Sequence, residues 1–225
     1  MTDSTTWAIL VAAGSGERLG ADRPKAFVAL GDRVLLAESL ERLDTSDWID
    51  AVVVAVPPEW EDAAIALAEE IVASKVAAVV TGGATRAESV RAALALVSDD
   101  ALVIVVHDAA RPLIDDEVIE RVLLPLSEGF DGVVPGLAVS DTIKRVDRGV
   151  VVETVDRESL VTVQTPQAFS ASALRAAYAG DEPVAATDCA SLVEARGGRI
   201  RVVDGDPRLL KVTTRADLAL VTSWL

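Results

Sequence analysis

The chain has almost none of the residues from which disulfide scaffolds and structural zinc sites are built. Its 225 residues include one cysteine, Cys189, and one histidine, His107. A single cysteine cannot close a disulfide within the chain, and one cysteine with one histidine cannot complete the four-ligand cage of a structural zinc ion. Both scaffolds are excluded, so a hydrophobic core has to hold the fold together.

Basic residues and long apolar runs are also scarce. The 21 lysines and arginines are outnumbered by 36 aspartates and glutamates, which gives a net charge of −15. This balance excludes a general binder of nucleic acids or anionic membranes, because both need an excess of positive charge. The apolar run at residues 7–13 is far shorter than the roughly 20 residues of a membrane span, and no basic residue precedes Arg18. We expect a cytoplasmic protein with neither nucleic acid nor membrane as a partner.

Aromatic residues make up only 4% of the chain, although 51% of it is hydrophobic and the mean hydropathy is +0.35. The core is therefore built mainly from alanine, valine, leucine and isoleucine, and disorder is excluded. A chain of this length can bury roughly 70% of its unfolded surface in one domain. No polar linker or internal repeat divides it, so we predict a single domain over residues 1–225.

Apolar, β-branched segments alternate with longer amphipathic ones. We predict strands at 7–12, 51–56, 76–81, 101–106 and 132–135, and helices at 34–43, 59–73, 85–97 and 115–127. This alternation predicts a Rossmann-like α/β fold, with a mostly parallel sheet flanked by helices. Thr85 and Glu88 have the spacing of a capping box, which predicts the start of the third helix.

The pattern changes after residue 135. Residues 141–155 form two alternating segments around Arg148 and Gly149, which predicts a β-hairpin. Helices are expected at 171–179, at 188–196 and from residue 215 onward, with a last strand at 200–203. The hairpin would form a protruding β-arm at about 137–157. Because such an arm is hard to bury within one chain, it favours an oligomer.

The strongest local motif is the glycine-rich segment VAAGSGERLGADRPKAF at residues 11–27. It leaves the end of the first strand, where open α/β sheets bind ligands, and Gly14, Gly16 and Gly20 would let backbone N–H groups approach a phosphate. Leu19 stands where the dinucleotide motif requires its third glycine, and the triphosphate P-loop motif cannot be aligned. The segment therefore predicts a phosphate site of another kind.

Two cations of this segment, Arg18 and Lys25, are suited to nucleotidyl transfer. Fixed positive charge would stabilise the negative charge that develops on the α-phosphate. The alternative is a tight turn that carries a surface arginine and lysine, because glycine-rich turns between strands and helices are common.

Further polar residues follow the ends of other predicted strands. Asp108 could hold Mg²⁺ together with substrate phosphates, or it could only pair with Arg111 in a local ion pair. For His107 a structural role is favoured over a catalytic one. The pair Gly82 and Gly83 could expose backbone amides to a nucleotide, although a plain capped helix explains the same residues.

Four more polar segments occur in apolar surroundings, at residues 155–157, 164–167, 186–188 and 210–213. Each alone is ordinary surface or capping chemistry. Their arginine, lysine and threonine side chains could bind a small phosphorylated polyol if the fold brings them together.

These motifs together resemble one family. The segments AAGSGERLG with RPKAF, GGATRAESV, VHDAARP, DTIKR, TVDR, TPQAF, TDCASLVE and KVTT occur in the order and at the spacings of the 2-C-methyl-D-erythritol 4-phosphate cytidylyltransferases. The resemblance runs from about residue 7 to the C-terminus. Ribitol-5-phosphate cytidylyltransferases share part of these motifs and are the alternative. A catalytically silent nucleotide-binding module should have lost Arg18, Lys25 or Lys211, and all three are present.

The resemblance implies Mg²⁺-dependent transfer of CMP from CTP to methylerythritol phosphate by a homodimer. It assigns transition-state stabilisation to Arg18 and Lys25, and the positioning of methylerythritol phosphate to Arg157 and Lys211 with Thr142, Thr165 and Thr187. It assigns the binding of cytidine and triphosphate to Ala12, Ala13, Gly14, Gly82, Gly83, Ser89 and Ala109, and contact with the ribose or metal to Asp108.

The resemblance also implies that the arm, residues 141–154, exchanges with a partner and carries Thr142 and Arg157 into the neighbouring site. Cys189 departs from the family pattern, since many relatives have an acidic residue at this position. The four cations Arg18, Lys25, Arg157 and Lys211 are expected to converge at the edge of the sheet.

Overall fold

The computed structural model describes residues 5–14, 16, 19–20, 22–180 and 186–225, and in these it contains twelve strands and seven α-helices. The strands are β1 (Thr6–Val11), β2 (Ala29–Leu30), β3 (Arg33–Val34), β4 (Ala51–Val56), β5 (Val76–Thr81), β6 (Val103–Asp108), β7 (Gly132–Ala138), β8 (Ile143–Asp147), β9 (Val150–Val155), β10 (Val161–Val163), β11 (Gln167–Ser170) and β12 (Ile200–Asp204). The helices are α1 (Leu35–Thr45), α2 (Glu61–Glu70), α3 (Arg86–Leu94), α4 (Asp116–Leu123), α5 (Ala171–Tyr178), α6 (Ala190–Ala195) and α7 (Arg215–Thr222).

Eight of the strands form one sheet, in which β6, β1, β4 and β5 are parallel neighbours. Strand β11 lies between β6 and β7 and is antiparallel to both. Strand β10 is also antiparallel to β7, whereas β12 runs parallel to β7. The inner strands are rich in valine and isoleucine, as expected of strands that are covered on both faces. The predicted Rossmann-like α/β fold with a mostly parallel sheet is confirmed.

Helices cover both faces of this sheet. Along β1, Ala8 and Leu10 point into the apolar layer that contains α1 and α4, whereas Ile9 between them points into the layer that contains α3 and α5. This is the two-residue alternation of a strand. Strand β1 is thus buried on both sides up to the point where it leads into the glycine-rich segment.

The predicted elements are present, with shifted ends. Helix α2 begins at Glu61 because Glu59 has a left-handed φ of 68°, which a helix cannot include. Strand β6 lies two residues later than predicted, so its last residue is Asp108. The sequence patterns did not predict β10, β11 or the short pair β2 and β3. No helix in the described part of the chain is both long and apolar enough to cross a membrane.

Strands β8 and β9 form the predicted hairpin, which is a two-stranded sheet of its own. Its turn places Arg148 at φ 45° and Gly149 at φ 83°, and two positive φ angles are what the tight hairpin turn requires. The hairpin carries valines into solvent, and Val150 is 66% exposed. The β-arm is therefore confirmed as an exposed element.

Candidate active site

A cavity of about 480 Å³ opens at the carboxyl ends of the parallel strands β1 and β6. This edge is where open α/β sheets bind ligands, because the connections to the helices leave a crevice there. Nine of the candidate site residues proposed from the sequence line this cavity: Ala12, Ala13, Gly14, Lys25, Gly83, Ser89, Asp108, Ala109 and Lys211.

The glycine-rich segment forms one wall. It starts from β1 with the Ala12 amide donating to the Ala55 carbonyl at 2.7 Å. Gly16 has a φ of +76°, and a Cβ atom there would lie 2.9 Å from the Cβ of Lys25. Only glycine allows this turn to pack directly against Lys25, whose side chain borders the cavity. Arg18 lies outside the described residues.

The start of α3 and the loop before it form another wall. Thr85 caps the helix in a complete capping box with Glu88, as the sequence predicted. The hydroxyl of Ser89 accepts a hydrogen bond from the Gly83 amide at 3.1 Å. Gly82 lies just behind the wall, where a Cβ atom would come within 2.4 Å of the Cβ of Ala13. The close approach of these two loops therefore depends on a residue without a side chain.

Asp108 lies at the floor of the cavity and is only 5% exposed. Its two carboxylate oxygens contact two cations: Arg86 Nε lies 2.9 Å from Oδ1, and Lys211 Nζ lies 2.6 Å from Oδ2. Burial alone would raise the pKa of Asp108, but the charges and hydrogen bonds of Arg86 and Lys211 outweigh it and hold that pKa well below its ordinary range. Asp108 is therefore an ionised carboxylate between two cations.

The sequence left open a local ion pair between Asp108 and Arg111, and the structure, which describes both residues, does not contain this pair. The Arg111 guanidinium instead donates to the Leu209 carbonyl. The cations that pair with Asp108 come from α3 and from the segment before α7, which the fold brings together from distant parts of the chain.

Arg86 is a residue of the site that the sequence patterns did not single out. Its side chain is 18% exposed, and its Nη1 atom donates to Cys189 Sγ at 3.3 Å. Cys189 Sγ also lies 3.2 Å from the Tyr178 hydroxyl, and burial raises the pKa of this thiol, so it stays neutral. Arg86 Nη2 is buried and has no hydrogen-bond partner among the described residues.

A signal for Arg86 was nevertheless present in the sequence. It is the first residue of α3, where the positive end of the helix dipole disfavours a cation. An arginine at such a position suggests an acceptor elsewhere in the fold that holds it, and here that acceptor is the Asp108 carboxylate.

Thr165 and His107 lie behind Asp108 and do not border the cavity in the described part of the chain. The Asp108 amide donates to Thr165 Oγ1 at 3.1 Å, and His107 Nδ1 lies 3.1 Å from the same oxygen. His107 Nε2 lies 3.0 Å from the Arg111 carbonyl oxygen. Burial lowers the pKa of His107 to about 4, so its ring is neutral at pH 7. His107 thus has the structural role that the sequence favoured.

Three further predicted residues are not among those that line this cavity. Thr142 and Arg157 belong to the two ends of the hairpin region and are exposed, and the Arg157 guanidinium donates to the Ser140 carbonyl. Thr187 precedes α6 and is also exposed. Of the predicted cations, the described part of one chain therefore brings Lys25 and Lys211 together, and it does not bring Arg157 to the same cavity.

Comparison with known proteins gives a consistent result. The family model described as 2-C-methyl-D-erythritol 4-phosphate cytidylyltransferase matches residues 6–225. A relative of that name from Nocardia farcinica is 46% identical over 224 residues, which cover 99% of this chain and 95% of the relative. Another from Rhodococcus jostii is 47% identical over 214 residues, which cover 95% and 92%.

Solved structures show the same likeness. The 4-diphosphocytidyl-2C-methyl-D-erythritol synthase of Anaerococcus prevotii superposes with a TM-score of 0.82 at 25% identity, over 98% of each chain. The 2-C-methyl-D-erythritol 4-phosphate cytidylyltransferase of Thermus thermophilus does so with a TM-score of 0.76 at 31% identity, over 96% of each chain.

The family model and these relatives show that the chain is a nucleotidyltransferase, and the lysine-bordered cavity fits that class. More narrowly, the chain belongs to the 2-C-methyl-D-erythritol 4-phosphate cytidylyltransferase family. Its activity is CTP-dependent cytidylyl transfer to methylerythritol phosphate in isoprenoid biosynthesis, which confirms the prediction from the sequence and disfavours the ribitol phosphate alternative.

Proposed function

We propose that CMP transfer takes place in the cavity between the glycine-rich segment and α3, and that the residues lining this cavity bind the nucleotide and stabilise the transition state. The observation that carries this proposal is that Lys25 and Lys211, from opposite ends of the chain, border one cavity whose floor is Asp108. Although the whole chain has a net charge of −15, the two lysines give this cavity a local positive charge, which a polyanionic nucleotide requires.

The chemistry needs positioned charge more than it needs a base. The phosphate monoester of the acceptor has a second pKa of about 6, so at neutral pH its oxygen is already largely ionised. This oxygen attacks the α-phosphorus of CTP, a new P–O bond forms, and the bond to the β-phosphate oxygen breaks with release of pyrophosphate. The neutral, buried His107 and Cys189 are not required in any of these steps.

Lys25 and Arg18 would stabilise the charge that develops on the α-phosphate oxygens. Support comes from Lys25, which borders the cavity beside Gly14. A cation held in place before the reaction needs no reorganisation when the charge develops, which makes such contacts effective.

The nucleotide itself would lie along the two walls, which are built from small residues at the surface of the cavity and, for Gly82, just behind it. Their side chains are short enough for a base, ribose and triphosphate to approach the backbone closely. These residues are Ala12, Ala13, Gly14, Gly82, Gly83, Ser89 and Ala109.

The cation pair around Asp108 leaves the cavity floor positive. Arg86 and Lys211 carry two positive charges and Asp108 one negative charge, while Cys189 beside Arg86 is neutral. We propose that Lys211 exchanges Asp108 for a phosphate oxygen of the substrate, whereas the more deeply buried Arg86 keeps the carboxylate in place.

The residues also fit Mg²⁺ as the metal. No group of three or more candidate ligands occurs in the described part of the chain, but Mg²⁺ is commonly bound by one or two carboxylates together with substrate phosphates. Asp108 is the one carboxylate among the described residues that line the cavity. It would hold Mg²⁺ once Lys211 has moved, and the bound ion would neutralise charge on the triphosphate.

The acceptor phosphate would be positioned by Lys211 with Arg157, Thr142 and Thr187. The last three residues are exposed and do not line the cavity of their own chain. We therefore propose that the chain forms a homodimer through the β-arm, so that Thr142 and Arg157 complete the site of the partner. The exposed valines Val150, Val151 and Val152 support this, because an apolar arm is stabilised by burial against a second copy.

Thr165 would act differently from the other threonines. It is buried and bonded to the Asp108 amide, so it would hold the end of β6 in position behind the acceptor site. The predicted single domain over residues 1–225 and the cytoplasmic location stay predictions.

Pyrophosphate release tests the function. It should be measured with CTP and Mg²⁺ and with methylerythritol phosphate or ribitol 5-phosphate as acceptor. Release that depends on methylerythritol phosphate, with 4-diphosphocytidyl-methylerythritol identified by mass, is expected. Release with ribitol 5-phosphate alone would overturn the assignment.

A further inference from the structure

Arg215, which has no role in the site described above, joins the C-terminal helix to the glycine-rich segment. Its Nε atom lies 3.3 Å from the Leu19 carbonyl oxygen, and its Nη2 atom lies 3.3 Å from the Gly20 carbonyl oxygen. The two acceptors belong to consecutive peptide units. The planar, forked guanidinium can bind both at once, whereas an ammonium group acts as a single point charge.

The position of Arg215 is fixed independently of this contact. Helix α7 begins with a capping box between Thr214 and Asp217, and Asp217 also accepts hydrogen bonds from the Thr213 amide and hydroxyl at 2.9 and 2.7 Å. A cation at the first position of a helix is disfavoured by the helix dipole. Arg215 is therefore unfavourably placed with respect to the helix dipole, and its two hydrogen bonds to the glycine-rich segment offset that cost.

The side chain of Leu19 also packs against the C-terminal part of the chain, to which Arg215 belongs. It is buried in a small apolar cluster with Val212 and Val221. The Val212 amide donates to the Ala110 carbonyl at 2.8 Å, and Val212 follows Lys211 directly. One C-terminal segment thus supplies Lys211 to the cavity and holds the middle of the glycine-rich segment at Leu19.

The contact continues from Leu19 to Lys25. The Leu19 amide donates to the Gly16 carbonyl at 2.8 Å, and the backbone of Gly16 packs against Lys25. A displacement of Leu19 would therefore be passed through Gly16 to the lysine that borders the cavity.

We propose that Arg215 is a positioning residue that fixes Leu19 and Gly20 in the middle of the glycine-rich segment, so that Lys25 faces the triphosphate of CTP. This inference rests on the proposed role of Lys25. Arg215 does not touch the substrate. It acts by holding the cation where charge develops, and a small displacement of such a group slows the reaction strongly.

The test compares Arg215→Ala and Arg215→Lys with the wild-type enzyme. Loss of both hydrogen bonds should let the segment and Lys25 shift, which should lower kcat/KM for CTP about tenfold or more. The KM for methylerythritol phosphate should stay within about twofold, because Arg215 contacts the glycine-rich segment and none of the residues proposed to hold the acceptor. Arg215→Lys should restore part of the loss. The matched control is Arg208→Ala, which removes an exposed arginine that donates to the Trp224 carbonyl in the same C-terminal region and should behave as wild type.

Two further variants separate the explanations. Thr214→Ala weakens the cap of α7 but keeps the contact of Arg215 with Leu19 and Gly20. If Thr214→Ala lowers kcat/KM for CTP as much as Arg215→Ala does, helix stability explains the effect and the inference is overturned. Lys25→Ala tests the proposed function in the same assay. If Lys25→Ala is inactive and Arg215→Ala is like wild type, only this inference fails. If Lys25→Ala keeps wild-type activity, both the proposed role of Lys25 and the inference about Arg215 fail.

Discussion

Lys211 Nζ lies 2.6 Å from Asp108 Oδ2, which ties the segment before the last helix to the end of the central strand β6. The other oxygen of Asp108 is held by Arg86. Because Arg86 is more deeply buried than Lys211, the two cations have unequal freedom to leave the carboxylate. Lys211 is therefore the cation that we propose exchanges this carboxylate for a phosphate.

Arg86→Gln should destabilise the protein as well as slow it. The change removes a charged hydrogen-bond partner from the buried Asp108 and leaves Lys211 as the remaining cation, which should cost about 2 kcal/mol. Urea denaturation followed by circular dichroism would measure the free energy of unfolding. Arg23→Gln is the control, because the exposed pair of Arg23 and Asp22 should contribute nothing measurable. Equal stability of the two variants would contradict the role given to Arg86.

His107 should make stability depend on pH in a definite window. Its pKa is about 4 in the folded protein and about 6.5 in the unfolded chain, so between these values the unfolded chain binds more protons. The contribution of His107 to the free energy of unfolding is fully present above about pH 6.5 and is lost as the pH falls toward 4, by up to about 3 kcal/mol.

His107 is the only histidine of the chain, so its variant isolates this effect. Denaturation of wild type and His107→Gln should be compared at several values between about pH 4 and 7. The difference in the free energy of unfolding should shrink as the pH falls. A difference that stays constant across the range would show that His107 does not carry the dependence.

Gly16→Ala should reduce activity by displacing Lys25. The added Cβ would lie 2.9 Å from the Cβ of Lys25, and it would also be strained by the φ of +76°. Gly129→Ala is a matched control, because Gly129 has a φ of +87° with no described atom within 4 Å of the added Cβ. Both variants should lose about 1 kcal/mol of stability from the backbone strain. Only Gly16→Ala should lose turnover, and equal turnover in the two would contradict the packing role of Gly16.

The exchange of β-arms can be tested by mixing two inactive variants. If Arg157 acts in the site of the partner, a mixed dimer of Lys25→Ala and Arg157→Ala subunits has one site that contains both native residues. Random mixing of a symmetric dimer by refolding should then restore about a quarter of wild-type activity. If Arg157 acts within its own chain, both sites of the mixed dimer are defective and no activity returns. Each variant mixed with itself is the control.

The features that depend on short stretches of sequence were predictable. The start of α3 followed from Thr85 and Glu88, because a capping box uses only neighbouring residues. The hairpin turn followed from Arg148 and Gly149 in the same way. Strand β11 was not predicted, because its four residues are stabilised by strands that are distant in the sequence.

Pairings within the site were the least predictable part. Asp108 and Arg111 are close in sequence, yet Arg111 donates to the Leu209 carbonyl and Asp108 pairs with Lys211 and Arg86. Only the packing of α3 and the C-terminal segment against β6 decides this choice. The same limit applies to Arg157, whose proposed site depends on a second copy of the chain.

The most direct measurement is steady-state turnover of Lys25→Ala, with CTP and methylerythritol phosphate at saturation. Loss of the lysine that borders the cavity should lower kcat at least about a hundredfold, because one charge-stabilising contact in the transition state is removed. Arg23→Ala, two residues away and exposed, should keep wild-type turnover, and both variants should unfold at the wild-type temperature. Wild-type turnover by a folded Lys25→Ala enzyme would contradict the account.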